Sequence, residues 1–367
     1  MSVIFKKLTH DYLLILTTII VFLLAIDRQL SWQSLDLPTL FSLAALLILV
    51  STWSQLGLLD YFAQAIMARA KTTRQAIVFL LLIAFFGSML VTNDVTILTL
   101  VPLFFVITRQ VDLPVTRTVT FITLYANLGS AASPFGNPQN LYLLSYYHWP
   151  LNNFLPTATL LLAGLLTLPL GLIGLNQEPL IRQEHPTLPI KKRTLTYLVL
   201  GSLAVLSSLL GLTPAFFGLI MALILAITID RQSLTTVDYG VVWLIANFFL
   251  IVGALIRLPQ LATFLKWTGQ SFWQTFITGA LTSQVLSNVP TAALLAPFTS
   301  FKVALFLGVS VGGFGTLVAS LANLLAYRQV RQRLTRQDAR HFLTIFTGWN
   351  LLFLLISIAL VWVYRQI

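Results

Sequence analysis

Apolar residues run along this chain in long blocks separated by short polar connections, and a helix needs about 20 of them to cross the hydrocarbon of a bilayer. Blocks of that kind fall at Asp11 to Ile26, Leu37 to Leu59, Phe154 to Leu175, Thr194 to Leu210, Pro214 to Ile229, Gly240 to Ile256 and Phe342 to Tyr364. Four further regions, 75–107, 116–147, 271–299 and 301–327, are apolar but interrupted by polar, Gly and Pro clusters. The pattern predicts an all-α polytopic membrane protein. Lys6 and Lys7 precede the first block as they would in a signal peptide, but no small-residue cleavage site follows, so the block reads as a span.

Composition narrows the class. Of the 367 residues 57% are hydrophobic and 9% charged, against roughly 25% charged in a soluble domain. Such a chain cannot cover a water-facing surface. Its 22 Lys and Arg against 11 Asp and Glu would suggest nucleic acid in a soluble protein; here they read as topology signals on loops, with no nucleic-acid partner. The absence of Cys removes disulfides, thiolate zinc sites and Cys nucleophiles, and His10, His148, His185 and His341 are scattered at segment ends. No cofactor is expected. If the N-terminus is inside and 75–107 and 271–299 dip in and return, only Arg28, Arg257, Lys266, Lys302 and Arg365 of the 22 basic residues fall outside. That bias predicts about nine transmembrane spans plus two re-entrant hairpins in the cytoplasmic membrane, N-terminus in and C-terminus out.

The chain also repeats itself. Ile26-Asp27-Arg28-Gln29 recurs as Ile229-Asp230-Arg231-Gln232, each time shortly before an acidic residue, Asp36 or Asp238. Thr92-Asn93-Asp94-Val95-Thr96 matches Ser287-Asn288-Val289-Pro290-Thr291, with Pro102 and Pro297 at the same distance beyond. Gly129-Ser130 and Asn137 match Gly315-Thr316 and Asn323. Five crossings separate the units, and an odd number inverts the second, the inverted-topology arrangement of secondary transporters. The expected organisation is a first repeat over 1–175 with hairpin 75–107 and broken helix 116–147, a cytoplasmic linker and connecting span over 176–211, and a second repeat over 212–367 with hairpin 271–299 and broken helix 301–327.

Hydrocarbon cannot satisfy free backbone groups, so broken helices are tolerated only where protein or a water-filled cavity surrounds them. Residues 129–140 read Gly-Ser-Ala-Ala-Ser-Pro-Phe-Gly-Asn-Pro-Gln-Asn and cannot form one helix. Thr316, Ser320 and Asn323 make a milder break in the second unit, and the hairpin tips add Thr92-Asn93-Asp94 and Ser287-Asn288. Freed amides at half-helix N-termini suit an anion; freed carbonyls with Ser, Thr and Asn oxygens suit Na⁺. Asp94 is the only ionisable residue that this layout places deep in the membrane, where it can bind Na⁺ or carry a proton.

These motifs resemble the ion transporter superfamily, which contains the citrate transporters, the arsenite efflux permeases, the NhaD-type Na⁺/H⁺ antiporters and the divalent anion/sodium symporters. The resemblance is carried by the Asn-Asp-Val-Thr tip, by Ser133-Pro134-Phe135-Gly136-Asn137-Pro138-Gln139-Asn140 and by Ser287-Asn288-Val289-Pro290-Thr291, and covers nearly the whole chain. In the symporter branch, tips and broken-helix loops hold substrate carboxylate and Na⁺. The resemblance therefore implies substrate-binding roles for Asn93, Thr96, Ser133, Asn137, Ser287, Asn288, Thr291, Thr316 and Asn323, and coupling-ion roles for Thr92, Asn93, Asp94, Ser133, Gly136, Asn137 and Asn288. Thr92, Asp94 and Val289 depart from the Ser-Asn-Thr pattern of that branch, and the second loop lacks prolines.

The function expected is a secondary transporter moving a small anion such as citrate, a dicarboxylate or an inorganic oxyanion with Na⁺ or H⁺. An antiporter using Asp94 without anion is the alternative within transport. An intramembrane enzyme is the alternative outside it, opposed by the lack of a base near Asp94 in sequence. No Gly-x-x-x-x-Gly-Lys-Ser/Thr phosphate loop marks a nucleotide-driven pump. The resemblance further implies a homodimer, and the 328–340 basic run is expected to form an interfacial helix.

Overall fold

The computed structural model describes residues 12–27, 30–108, 113–154, 160–175, 177–180, 186–333 and 335–366; Lys6, Lys7, His10, Asp11, Arg28, Gln29, His185 and part of the 154–175 block lie outside the described residues. Apart from one bridge between Thr72 and Pro179, every named element is helical. In chain order come α1 (Tyr12–Ile26), α2 (Leu37–Gln55), α3 (Leu58–Met67), α4 (Thr73–Val91), α5 (Asn93–Ile107), α6 (Val115–Ala131), α7 (Pro138–Tyr146) and the short α8 (Leu168–Leu172). Then follow α9 (Lys192–Leu209), α10 (Ala215–Ile229), α11 (Tyr239–Leu255), α12 (Pro259–Thr268), α13 (Phe272–Leu286), α14 (Asn288–Leu295), α15 (Lys302–Val311), α16 (Leu321–Arg331) and α17 (Arg336–Tyr364). Among the described residues three helices are long and apolar enough to cross a membrane, Leu37–Gln55, Thr73–Val91 and Gln337–Tyr364; α1, α5, α10 and α11 are apolar but shorter.

Local chemistry sets the helix ends. Asp36 caps α2 by accepting from the Thr39 amide at 3.2 Å and its hydroxyl at 2.8 Å. Thr72 caps α4 by accepting from the Gln75 amide, and Ser271 caps α13 by accepting from that of Gln274. Each hairpin breaks at one residue, Thr92 (φ 75°, ψ 156°) or Ser287 (φ 70°, ψ 159°). That backbone region is essentially reserved for glycine and costs about 1–3 kcal/mol for other residues. Two non-glycine residues hold it at equivalent tips.

Three expectations are corrected. The Leu37–Leu59 block is not one helix: α2 stops at Gln55, Gly57 turns the chain at φ 68°, and α3 leaves as a separate amphipathic helix. Over 154–175 the described residues form a 3₁₀ stretch, Leu160–Thr167, followed by α8, since Gly164, Pro169 and Gly171 weaken a continuous α-helix. The 328–340 run is not one helix: Arg328 and Arg331 sit in the last turn of α16, where they complement the helix dipole, and Arg340 in the start of α17.

Packing partners are exchanged between the two halves. α1 packs on α11 while α2 packs on α10. α4 packs on α6 and α13 on α15; α5 packs on α16 and α14 on α7. One core unites α4, α5, α6, α16 and α17 around Phe85, Phe104, Tyr125 and Phe346; a second unites α2, α7, α11, α13, α14 and α15 around Phe249, Phe276 and Phe306. α9 and α10 complete a third against α2.

Candidate functional site

Both tips and both broken-helix loops meet at one cavity of about 430 Å³. Asn93, Asp94, Asn137, Pro138, Gln139, Ser287, Asn288, Ser320 and Leu321 line it, with apolar walls from α1 and α11 and Arg328 as the one basic residue among the described lining residues. Asn93, Pro138, Asn288 and Leu321 are the first residues of α5, α7, α14 and α16. Four half-helices therefore start at the wall, and their N-terminal partial charges favour an anion. A larger cavity of about 740 Å³ between α2, α3, α4, α5 and α9 has no charged residue among its described lining residues and is walled almost wholly by apolar side chains.

The tips are tied to the loops by matched backbone bonds. The Asn93 amide donates to the Gly136 carbonyl at 3.4 Å, and the Asn288 amide to that of Ala319 at 3.1 Å. Thr96 Oγ1 donates to the Thr92 carbonyl and Thr291 Oγ1 to that of Ser287, both at 2.8 Å. Asn140 Nδ2 donates to the carbonyls of Ser130, Ala131 and Ser133 at 3.2, 3.3 and 2.7 Å. Asn323 Nδ2 does the same for Gly313 and Thr316, both at 3.0 Å. These pairs set the register of the two loops: Asn140 corresponds to Asn323, Ser133 to Thr316, and Asn137 (φ −144°, ψ 146°) to Ser320 (φ −144°, ψ 141°). The match of Asn137 with Asn323 read from the sequence is three residues out of register.

The candidates divide accordingly. Asn93, Asp94, Asn137, Ser287 and Asn288 reach the cavity. Thr92, Thr96, Ser133, Gly136, Thr291, Thr316 and Asn323 are not among its lining residues; they lie behind it and hold backbone in place. Gly136 permits a close turn, since a Cβ there would lie 2.2 Å from the Ser130 carbonyl oxygen.

Several residues outside the sequence candidates tie the site together, and one of them, Asn127, bonds across the two halves. Asn127, buried on α6, accepts at Oδ1 from Asn93 Nδ2 at 2.9 Å and from Ser320 Oγ at 3.1 Å, and donates from Nδ2 to Asn323 Oδ1 at 2.8 Å. Ser130 Oγ accepts from Asn137 Nδ2 at 2.6 Å. Gln284 Nε2 donates to the Gly312 and Phe314 carbonyls at 2.8 Å, while its Oε1 accepts from the Thr316 amide at 3.0 Å. Gln139 is 1% exposed with neither amide atom partnered, and Asp94 Oδ1 is also buried without a partner. The one available signal for Gln139 and Asn140 was their place in the Pro/Gly-rich run; Asn127 and Gln284 lie in unbroken helices and carry none.

Residues 1–301 match the family model described as citrate transporter. The chain is 30% identical over 311 residues to the inner membrane protein YbiR of Escherichia coli, covering 83% of this chain and 82% of that one. It is also 30% identical over 294 residues to an uncharacterized transporter of Methanocaldococcus jannaschii, covering 79% and 80%. A silicon efflux transporter of rice, Oryza sativa, is 26% identical over 113 residues, 31% of this chain and 23% of its own.

Proposed function

Because the chain belongs to the citrate transporter family, whose members here are membrane transporters and not enzymes, we propose that it is a secondary active transporter moving a small anion, coupled to Na⁺ or H⁺. The observation that carries this reading is the convergence of two hairpin tips and two broken-helix loops on one cavity containing Asp94. The N-terminal ends of four half-helices suit anionic oxygens, and Asp94 suits the coupling ion. Citrate, C4-dicarboxylates and inorganic oxyanions fit the family; the rice relative adds silicon to the species worth testing.

The partner exchange between α1·α11 and α2·α10, and between α5·α16 and α14·α7, supports two inverted repeats bounded as in the sequence. With nine spans, two re-entrant hairpins, the N-terminus inside the cytoplasmic membrane and the C-terminus outside, Leu16, Val241 and Arg328 all lie toward the cytoplasmic end. The cavity they line then opens inward, and the tips with their loops carry the substrate across against the remaining spans. The family likeness favours a homodimer.

Proteoliposome flux tests the reading. Labelled anion should accumulate when a Na⁺ or H⁺ gradient is imposed, and Asp94→Asn should lose that gradient dependence. An Asp94→Asn variant with unchanged rate and unchanged pH and Na⁺ dependence would overturn the role of Asp94. The unpartnered Asp94 Oδ1 favours one other outcome, Na⁺/H⁺ exchange without anion; exchange with no accumulation of any anion would identify an antiporter.

A further inference from the structure

The cavity of about 740 Å³ between α2, α3, α4, α5 and α9 lies apart from the site and suits a different kind of occupant. Three of its polar lining groups spend their hydrogen bonds on protein: Trp53 Nε1 donates to Ser202 Oγ at 3.0 Å, Ser202 Oγ to the Leu198 carbonyl at 2.6 Å and Thr96 Oγ1 to the Thr92 carbonyl at 2.8 Å. Water in such a space finds few partners, which favours an apolar occupant. The cavity is open at the side, where the lining residues Phe62, Ile66, Phe86 and Leu90 are between 39% and 65% exposed. Its long dimension follows α4. Lining residues run there from Phe79 to Val91, a rise of about 18 Å at 1.5 Å per residue. The hydrocarbon of one leaflet is about 15 Å deep, half of roughly 30 Å.

α3 covers the end from which α4 starts, touching α2, α4 and α5. It turns Leu59, Phe62, Ala63 and Ile66 into the cavity and leaves Asp60 and Gln64 exposed, the two-sided pattern of a helix lying in the membrane interface. Trp53 and Tyr61 flank Phe62 with ring centroids 6.3 and 5.3 Å away, an aromatic group of the kind found at headgroup level. Basic residues stand at both ends of α3. Arg69, Lys71 and Arg74 follow it; Lys191, Lys192 and Arg193 follow Pro189, whose Cβ lies 3.8 Å from the place of a Cβ on Gly57, just before α3. All six are exposed, and the described acids on segments 57–75 and 177–193 are Asp60 and Glu178.

We propose that this cavity binds one anionic phospholipid of the cytoplasmic leaflet, with an acyl chain along α4 and the phosphate on the basic residues around α3. Charge complementarity selects the occupant, since Lys and Arg clustered at a membrane surface attract anionic lipid. A second copy of the chain, whose net charge is itself +11, is the less suited occupant. The site rests on the proposed topology, which sets α3 at the cytoplasmic face, and not on the identity of the transported ion.

Native mass spectrometry of the delipidated full chain tests it, with phosphatidylglycerol and phosphatidylcholine of the same acyl chains as probes. The wild type should bind one phosphatidylglycerol at least fivefold more tightly than phosphatidylcholine. Gly87→Leu should abolish that binding: a Cβ on Gly87 meets only Ile83 Cγ2, at 3.7 Å, so the larger side chain enters the cavity. Leu90→Trp fills the same space from an exposed position and serves if the leucine is not accommodated. Replacing Lys191, Lys192 and Arg193 together by Gln should bring the two lipids within twofold of each other. Equal affinities in the wild type, as for lipid that merely surrounds the protein, overturn the site. So does phosphatidylglycerol binding that survives in both cavity variants. A dimer that those variants dissociate would give the cavity to a second copy and overturn it too. Labelling of Lys191→Cys from the outside alone rejects the topology and with it the leaflet; equal lipid affinities with labelling from the inside reject the site and leave the topology standing.

Discussion

A buried amide beside a cavity can be satisfied by protein or by ligand, and Gln139 has no protein partner at either end. Leaving such a group unpaired costs about 1–3 kcal/mol, a cost that a ligand offering both a donor and an acceptor would relieve. Gln139→Met, which nearly conserves volume, should therefore raise the melting midpoint of the unliganded protein and shrink the shift produced by transported anion. A lower midpoint with an undiminished anion shift would show that the amide serves the fold instead. Asn93, Asp94, Asn137, Ser287 and Asn288 were legible in the sequence because helix-breaking chemistry is local: Gly, Pro and Asn clusters announce a break wherever they occur. Asn127 was not. It lies inside a continuous helix, and its amide partners are 34 and 196 residues away.

At the scale of elements, the two hairpins are positioned by close helix crossings. Gly129 lets α6 approach the α4 backbone so closely that a methyl group has no room, and backbone atoms cannot rotate aside as a side chain can. Gly129→Ala should lower stability by about 1–3 kcal/mol or more, read as a lower melting midpoint or lost expression of folded protein. Gly348→Ala in α17 is the control: nothing lies within 4 Å of the added carbon, and alanine is favoured over glycine in a helix interior by about 1 kcal/mol. Equal effects from the two substitutions would refute the packing argument. The first hairpin arm, 19 residues in α4, is one turn longer than the 15 of α13. Such length differences defeat a register counted along the sequence, and between tip and loop the first half is longer again, 44 residues from Asn93 to Asn137 against 32 from Asn288 to Ser320. Hydrogen bonds that Asn140 and Asn323 make to equivalent carbonyls recover the pairing that residue identity alone misassigned.

For the whole molecule, the proposed inverted arrangement would place loops of the two halves on opposite sides of the membrane. The absence of Cys makes the chain ready for accessibility labelling. Single variants Lys191→Cys and Arg340→Cys should react with an impermeant thiol reagent only from the cytoplasmic side, and Lys266→Cys and Lys302→Cys only from the other. Labelling of all four from one side would reject the inverted topology.

The sequence by itself determined that this chain lives in a membrane, that its helices break at the hairpin tips and loops, and that Asp94 stands at one of those breaks, because hydrophobic length, scarcity of charge and helix-breaking residues act locally. Only the tertiary structure decided which polar groups meet. The exchange of partners between halves brings Asn127 to Ser320 and Asn323 and leaves Asn140 Oδ1 and Ser310 Oγ without a hydrogen bond. A side chain deep in a bilayer has no water to fall back on, so its role is set by the neighbours that packing supplies.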